Sequence, residues 1–265
     1  MLGLRILLCL MFIGLASSAR AGPVLWIDDS LNKLGKIDVA TGAASVVGPL
    51  IVNGTVTDLA FDPSGNLWAI TFDSIYRVDK NTGAATFVGT HGISNGNALV
   101  FAADGTLYAA GASSTGLFRI NTLTGAGTFL GSTGFASAGD LAFNGGHLFL
   151  SSTTNQLIEI NTATPALSFA VGSMGVGNVF GLATADDGIL YATSGQNVYT
   201  VNTSTGLATF KSTWAGSPMF QAFGTAFVTE AGAPDVGSAP EPGTLALIAV
   251  GLSGLALRRR NRKVR

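Results

Sequence analysis

A dipeptide of leucine and an aromatic residue recurs along this chain at a nearly constant interval. Leu25-Trp26, Leu67-Trp68, Leu107-Tyr108, Leu148-Phe149 and Leu190-Tyr191 are spaced by 42, 40, 41 and 42 residues. A second anchor is Thr41-Gly42, Thr82-Gly83, Thr124-Gly125, Thr164-Pro165 and Thr205-Gly206, spaced by 41, 42, 40 and 41. Two independent anchors with one period define an internal repeat, and a repeat of this length limits the chain to a few architectures.

Each unit holds four short runs with strand character. In the second unit these are Asp58 to Phe61, Leu67 to Ile70, Ile75 to Val78 and Ala85 to Val88. Turn residues separate them: Asp62-Pro63-Ser64-Gly65-Asn66 and Asp79-Lys80-Asn81-Thr82-Gly83. No sustained 3.6-residue apolar period interrupts the pattern, so helices are not expected in the body. Four strands per period predict an all-β, five-bladed β-propeller. The first unit lacks its first strand, because Gly22 leads almost directly into Leu25-Trp26. Ala222-Phe223-Gly224-Thr225 is a spare strand at the other end, with Phe223 as far from Gly206 as Leu59 is from Gly42. The C-terminal strand is therefore expected to complete the first blade and close the ring, which removes an open sheet edge.

The phrases "DLAFDPSGNLW" and "IYRVDKNTG" resemble those of bacterial propellers with NHL-type or YncE-type repeats. The resemblance implies the fold and leaves the activity open.

The two ends read as address labels. Arg5, the apolar run Ile6 to Leu15 and Ala19-Arg20-Ala21 form a signal peptide over residues 1–21. The propeller is expected over 22–230 and a small, Gly- and Pro-containing spacer over 231–239. Residues 240–265 begin with Pro240-Glu241-Pro242. An apolar stretch ending at Leu257 follows, then a basic tail opening with Arg258, Arg259 and Arg260. Gly243 to Leu257 makes roughly 22 Å of helix, short for a hydrocarbon core about 30 Å thick. The basic tail is expected to stay cytoplasmic. This order of elements resembles the PEP-CTERM sorting signal of Gram-negative bacteria. The resemblance implies an exosortase-type membrane protease as partner, with membrane attachment through the C-terminal transmembrane helix before processing. It also implies a host that makes exopolysaccharide, and a final location at the cell surface or in the extracellular matrix.

With both labels removed, six basic residues face 14 acidic ones, a net charge of −8. Such a body offers no basic footprint to a phosphate backbone, so nucleic-acid binding is not expected. The single cysteine, Cys9, lies in the leader, so the body can form neither a disulfide nor a thiolate metal site.

Few residues carry candidate chemistry. Asp58 and Asp140 occupy one repeat position, just before Leu-Ala-Phe on the innermost strand, where Ala98, Gly181 and Ala222 stand in the other units. Two channel carboxylates can act as acid and base or bind a cation; a bonded, structural role is the expected one. Asp38, Asp79, Asn121, Asn161 and Asn202 precede the Thr-Gly anchors and read as turn formers. Asp28-Asp29 and Asp186-Asp187 read as turn residues. His91 and His147, the only histidines, have no further ligands for zinc, and no metal or cofactor is expected. The repeated aromatics read as blade packing, whereas Trp214, outside the repeat, is the candidate surface contact. The expectation is a non-enzymatic, sorted surface protein of a biofilm or exopolysaccharide matrix. The alternatives are a lectin-like propeller that binds glycan or protein, and a polysaccharide hydrolase using Asp58 and Asp140.

Overall fold

A computed structural model describes residues 22–231. The signal peptide, most of the spacer and the C-terminal sorting segment, with Pro240, Glu241, Pro242, Arg258, Arg259 and Arg260, lie outside the described residues.

The chain forms twenty strands in five antiparallel sheets of four. The first blade takes β1 (Val24–Asp29), β2 (Lys33–Asp38) and β3 (Ala44–Pro49). The second is β4 (Val56–Phe61), β5 (Leu67–Thr71), β6 (Ser74–Val78) and β7 (Ala85–Thr90). The third is β8 (Gly96–Phe101), β9 (Leu107–Gly111), β10 (Gly116–Ile120) and β11 (Gly127–Ser132). The fourth is β12 (Ser137–Asn144), β13 (His147–Ser152), β14 (Gln156–Ile160) and β15 (Phe169–Ser173). The fifth is β16 (Val179–Thr184), β17 (Leu190–Ser194), β18 (Asn197–Val201) and β19 (Ala208–Thr213). The last strand, β20 (Ala222–Ala226), pairs antiparallel with β1 and supplies the missing inner strand of the first blade. The ring is a five-bladed propeller closed by its two chain ends, as the repeat predicts.

The register of β20 differs from the expected one. Ile27 faces Thr225 and Asp28 faces Gly224, as Ala69 faces Leu59 and Ile70 faces Asp58 in the second blade. Thr225, not Phe223, therefore occupies the place of Leu59. The connection from β19 is two residues longer than a fixed offset allows. The residue equivalent to Asp58 in this blade is Gly224 rather than Ala222.

Aromatic pairs stitch neighbouring blades together. Trp26 meets Phe61 of the next blade at 5.5 Å between ring centroids, Trp68 meets Phe101 at 5.7 Å, and Tyr108 meets Phe143 at 6.1 Å. Tyr191 meets Phe227, just past β20, at 5.6 Å. The four repeated aromatics in these pairs are thus seam residues between sheets, where their buried area and ring-to-ring contact stabilise the seam. Cations cover the same rings: Lys36 lies over Trp26 at 4.2 Å and Arg77 over Trp68 at 4.7 Å.

The Thr-Gly anchors are turns, as expected. Asn121 Oδ1 accepts the N–H groups of Leu123 and Thr124, and Gly125 N–H donates to Asn121 O at 2.8 Å. Gly42, Gly83, Gly125 and Gly206 have φ of 74°, 79°, 75° and 81°, a left-handed conformation that glycine adopts without Cβ strain. The turn has a second purpose that one unit alone does not reveal. A Cβ on Gly125 would lie 2.7 Å from the backbone of Gly89 in the preceding blade. Glycine here permits blade-to-blade backbone contact. In the fourth unit Pro165 cannot take positive φ. A short 3₁₀ turn over Pro165–Leu167 replaces the pattern, and the flanking strands persist.

Candidate functional site

The inner strands β4, β8, β12, β16 and β20 surround the ring axis, and polar chemistry concentrates there. Asp58 and Asp140 are fully buried. Asp58 Oδ1 accepts the N–H of Leu59 at 2.7 Å and of Thr225 at 3.3 Å, and Oδ2 accepts Leu99 N–H at 2.6 Å. These contacts join the first, second and third blades. Asp140 Oδ1 accepts Leu141 N–H at 2.7 Å. Its Oδ2 accepts Leu182 N–H at 2.6 Å and the Thr225 hydroxyl at 3.0 Å. These join the fourth, fifth and first blades. Two carboxyls and Thr225 therefore tie all five blades at the axis. Inner-strand N–H groups facing the axis have no further strand to donate to, and the carboxyls supply their acceptors.

A third carboxyl lies beside this pair. Asp28 and Asp29 are the last residues of β1, not turn residues, and neither is exposed. Asp29 is fully used: Oδ1 accepts Leu31 and Lys33 N–H, and Oδ2 accepts Phe220 N–H at 3.0 Å. Asp28 is not. Gly224 N–H lies near enough to favour its charged form, yet neither Asp28 oxygen has a partner at hydrogen-bond geometry. A Cβ on Gly224 would sit 2.7 Å from both Asp28 Oδ1 and Asp58 Oδ1, so the two carboxyls converge on this glycine. The repeat puts Ile70, Ala110, Ser151 and Thr193 at the place of Asp28. A carboxylate in a mostly apolar or small column was the available sequence signal.

The fourth carboxyl comes from the segment after β20. Glu230 Oε1 accepts Thr184 N–H at 3.3 Å at the exit end of β16. Phe227 packs on Tyr191, and Ala231 is buried in the cluster of Trp68, Leu99 and Phe101. Residues 227–231 thus form a strap beneath several blades. At the opposite end, where inner strands begin, Phe180 and Phe223 meet edge to face at 5.9 Å and are half-buried.

Burial pushes Asp28, Asp58, Asp140 and Glu230 well above the ordinary carboxylate range. Repulsion from Asp140 adds to this at the other three. The side chains of Asp58 and Asp140 also interact with each other. Asn97 Oδ1, Ser137 Oγ and Thr193 Oγ1 are further buried oxygens without partners.

The remaining candidates are structural in this geometry. Trp214 is not a surface residue: it is 1% exposed, and its Nε1–H donates to Phe220 O at 2.9 Å. With Met219 it fills the seam between the fifth and first blades, because the long connection before β20 folds inward. His91 is buried, accepting Ile93 N–H at Nδ1 (3.0 Å), with Nε2 3.1 Å from Thr71 O. Burial lowers its basicity. His147 pairs with Glu159 at 2.7 Å. Asp187 accepts the Tyr191 hydroxyl at 2.9 Å. Among the described residues no three His, Cys, Asp or Glu side chains are arranged to hold a metal ion. No helix among them is long and apolar enough to cross a membrane.

Residues 238–260 match the PEP-CTERM protein-sorting motif. The motif indicates an exported chain, with a membrane-anchored precursor processed by the membrane protease exosortase. No curated protein sequence matches the chain. Among solved structures, one from a nidogen/laminin complex is similar at 13% identity. It has a TM-score of 0.54 and covers 79% of this chain and 99% of its own. A gluconolactonase from Xanthomonas campestris is similar at 16% identity and a TM-score of 0.50, over 74% of this chain and 78% of its own. These likenesses establish the fold. The second also corrects the expectation that the body is not an enzyme, because a ring of this kind serves as the scaffold of an enzyme.

Proposed function

We propose that this exported propeller is sorted to the cell surface and acts in an exopolysaccharide matrix. On this reading it binds glycan at the rim where Phe180 and Phe223 meet. The sorting motif at residues 238–260 supports the address. The observation that carries the binding reading is the half-buried aromatic pair at the entrance end of β16 and β20. Aromatic faces at a ring mouth suit the apolar faces of sugar rings. Asp58 and Asp140 serve as blade ties, since each is fully buried and accepts three N–H or O–H donors. General acid–base work on a polysaccharide would require a substrate proton within hydrogen-bond reach of these carboxyls.

A glycan array probed with the mature chain tests this reading, followed by pull-down on purified bacterial exopolysaccharide. Phe180→Ala and Phe223→Ala are expected to lose binding while retaining a single cooperative melting transition. Absence of glycan binding by the wild type, or undiminished binding by both variants, overturns it.

A further inference from the structure

We propose that a row of cations on the first three blades binds an acidic polysaccharide, one whose sugar rings carry carboxylates. The row is distinct from the Phe180–Phe223 mouth. The proposal rests on the matrix location proposed above and not on binding at that mouth.

The row is set by the strand registers. In the first blade Trp26 faces Lys36, and Lys36 faces Ser45. In the second Trp68 faces Arg77, and Arg77 faces Thr86. In the third Tyr108 faces Arg119, and Arg119 faces Thr128. Residues opposed across a ladder share a face of the sheet. Each of these blades therefore sets an aromatic, a cation and a hydroxyl side by side. The fourth and fifth blades put Glu159 and Thr200 at the cation's place. Ala60 faces Trp68 and Val100 faces Tyr108, near the ends of β4 and β8. The row thus lies at the exit end of the inner strands, whereas Phe180 and Phe223 stand near the starts of β16 and β20.

These cations lack an internal counter-ion. Stacking on Trp26 and Trp68 positions the Lys36 ammonium and the Arg77 guanidinium. A guanidinium stacked on a ring keeps its edge N–H groups free to hold a carboxylate through two parallel bonds. Among the described residues, neither these two nor Arg119 forms an ion pair. The acids of the adjoining turns are bonded to backbone instead. Asp38 accepts Ala40 and Thr41 N–H, and Asp62 accepts Ser64 and Asn66 N–H. Asp79 accepts Asn81 N–H, and Asp104 accepts Thr106 N–H.

The second blade adds a concavity. Arg77 and Thr86, with Asn66 and Asp79, line a cleft of about 390 Å³, room for a sugar ring. The body's net charge of −8 opposes a polyanion at long range. At about 0.15 M salt, charges more than about 8 Å away are largely screened, so direct contacts with the row decide.

Affinity electrophoresis of the mature chain in gels containing polygalacturonate, with dextran gels as the neutral control, tests the row. The wild type is expected to be retarded by polygalacturonate and not by dextran. Arg77→Gln combined with Arg119→Gln should weaken that affinity about tenfold or more, as loss of charge-assisted contacts does. Lys211→Gln removes the same kind of charge from the fifth blade, outside the row, and should change it by less than about twofold. Phe180→Ala with Phe223→Ala should leave it unchanged, which separates this proposal from the mouth reading. No retardation of the wild type by polygalacturonate, or equal retardation by dextran, overturns the row. So does an equal loss in Lys211→Gln, which marks non-specific charge attraction, or loss in the Phe180 and Phe223 variant, which assigns the ligand to the mouth. The wild-type comparison of the two gels decides even if a variant fails to fold.

Discussion

The Thr225 hydroxyl lies 3.0 Å from Asp140 Oδ2, although 85 residues separate the two in the chain. The contact joins the closing strand to the blade that begins with β12, across the ring axis. A closed propeller needs its last strand held by more than one neighbour, and this pair supplies a bond outside the β20–β1 ladder. Thr225→Val is expected to cost about 1–3 kcal/mol, the penalty for leaving a buried polar group unsatisfied. Urea unfolding of the mature chain at fixed pH measures it. A change within error of zero would assign the closure to backbone pairing alone.

Asp28 stands where the repeat elsewhere places Ile70, Ala110, Ser151 or Thr193, and its oxygens have no partners. Burial raises its titration, so its ionised form destabilises the folded ring as pH climbs above the ordinary carboxyl range. Asp28→Ala should therefore raise the melting temperature at neutral pH and flatten its decline with pH. At a pH below the unfolded carboxyl value the gain should vanish. Melting curves across that range distinguish this from a simple packing effect, which would not vary with pH.

Gly125 and Gly105 both have positive φ, 75° and 86°, but differ in surroundings. A Cβ at Gly105 meets nothing within 4 Å, whereas one at Gly125 meets the Gly89 backbone at 2.7 Å. Gly105→Ala should cost about 1 kcal/mol from backbone conformation alone. Gly125→Ala should cost more than about 2 kcal/mol, because the blades must also separate. Equal costs by chemical denaturation would show that the turn conformation accounts for both glycines.

Trp214 fills the seam between the first and fifth blades with Met219, Leu25 and Ile37. Trp214→Ala should destabilise by about 3–5 kcal/mol, the range for a large buried aromatic. Near-ultraviolet circular dichroism and thermal melting give the readout. An unchanged melting temperature would return Trp214 to the surface.

Processing by exosortase is expected to remove the apolar stretch that ends at Leu257. Peptide mass spectrometry of the surface-exposed form should recover peptides from the ring but none from 245–257. Replacing Arg258, Arg259 and Arg260 with Ser should weaken membrane retention or orientation of the precursor. Recovery of the apolar peptides from the surface form would mark a permanent anchor.

The fold was legible because two anchors repeat: Leu-aromatic pairs that pack seams and Thr-Gly turns that need positive φ. The axial site was only partly legible. Asp58 and Asp140 stand out because carboxylates precede an apolar Leu-Ala-Phe run in both copies. Thr225 did not, since a fixed offset set Phe223 in the place of Leu59. The connection around Trp214 is longer, and only pairing with β1 reveals the register. Trp214 was misread for a related reason. Lying outside the repeat frees a residue from the common pattern, but it does not expose it, and here the irregular connection plugs the seam where the ring closes. Glu230 looked like the end of the body, because nothing in a single strand pattern shows a strap turning under the blades.

Each blade carries a bulge between its third and fourth strands. Ile75 faces Gly89 while Tyr76 faces Phe87, so Val88 stands opposite no partner, and the other four blades shift at the same place. The outermost strand is therefore kinked and out of even spacing along the perimeter. An irregular margin of this kind is a poor template for a neighbouring chain to extend. For an exported protein, such a margin is expected to hinder edge-to-edge pairing between neighbouring copies.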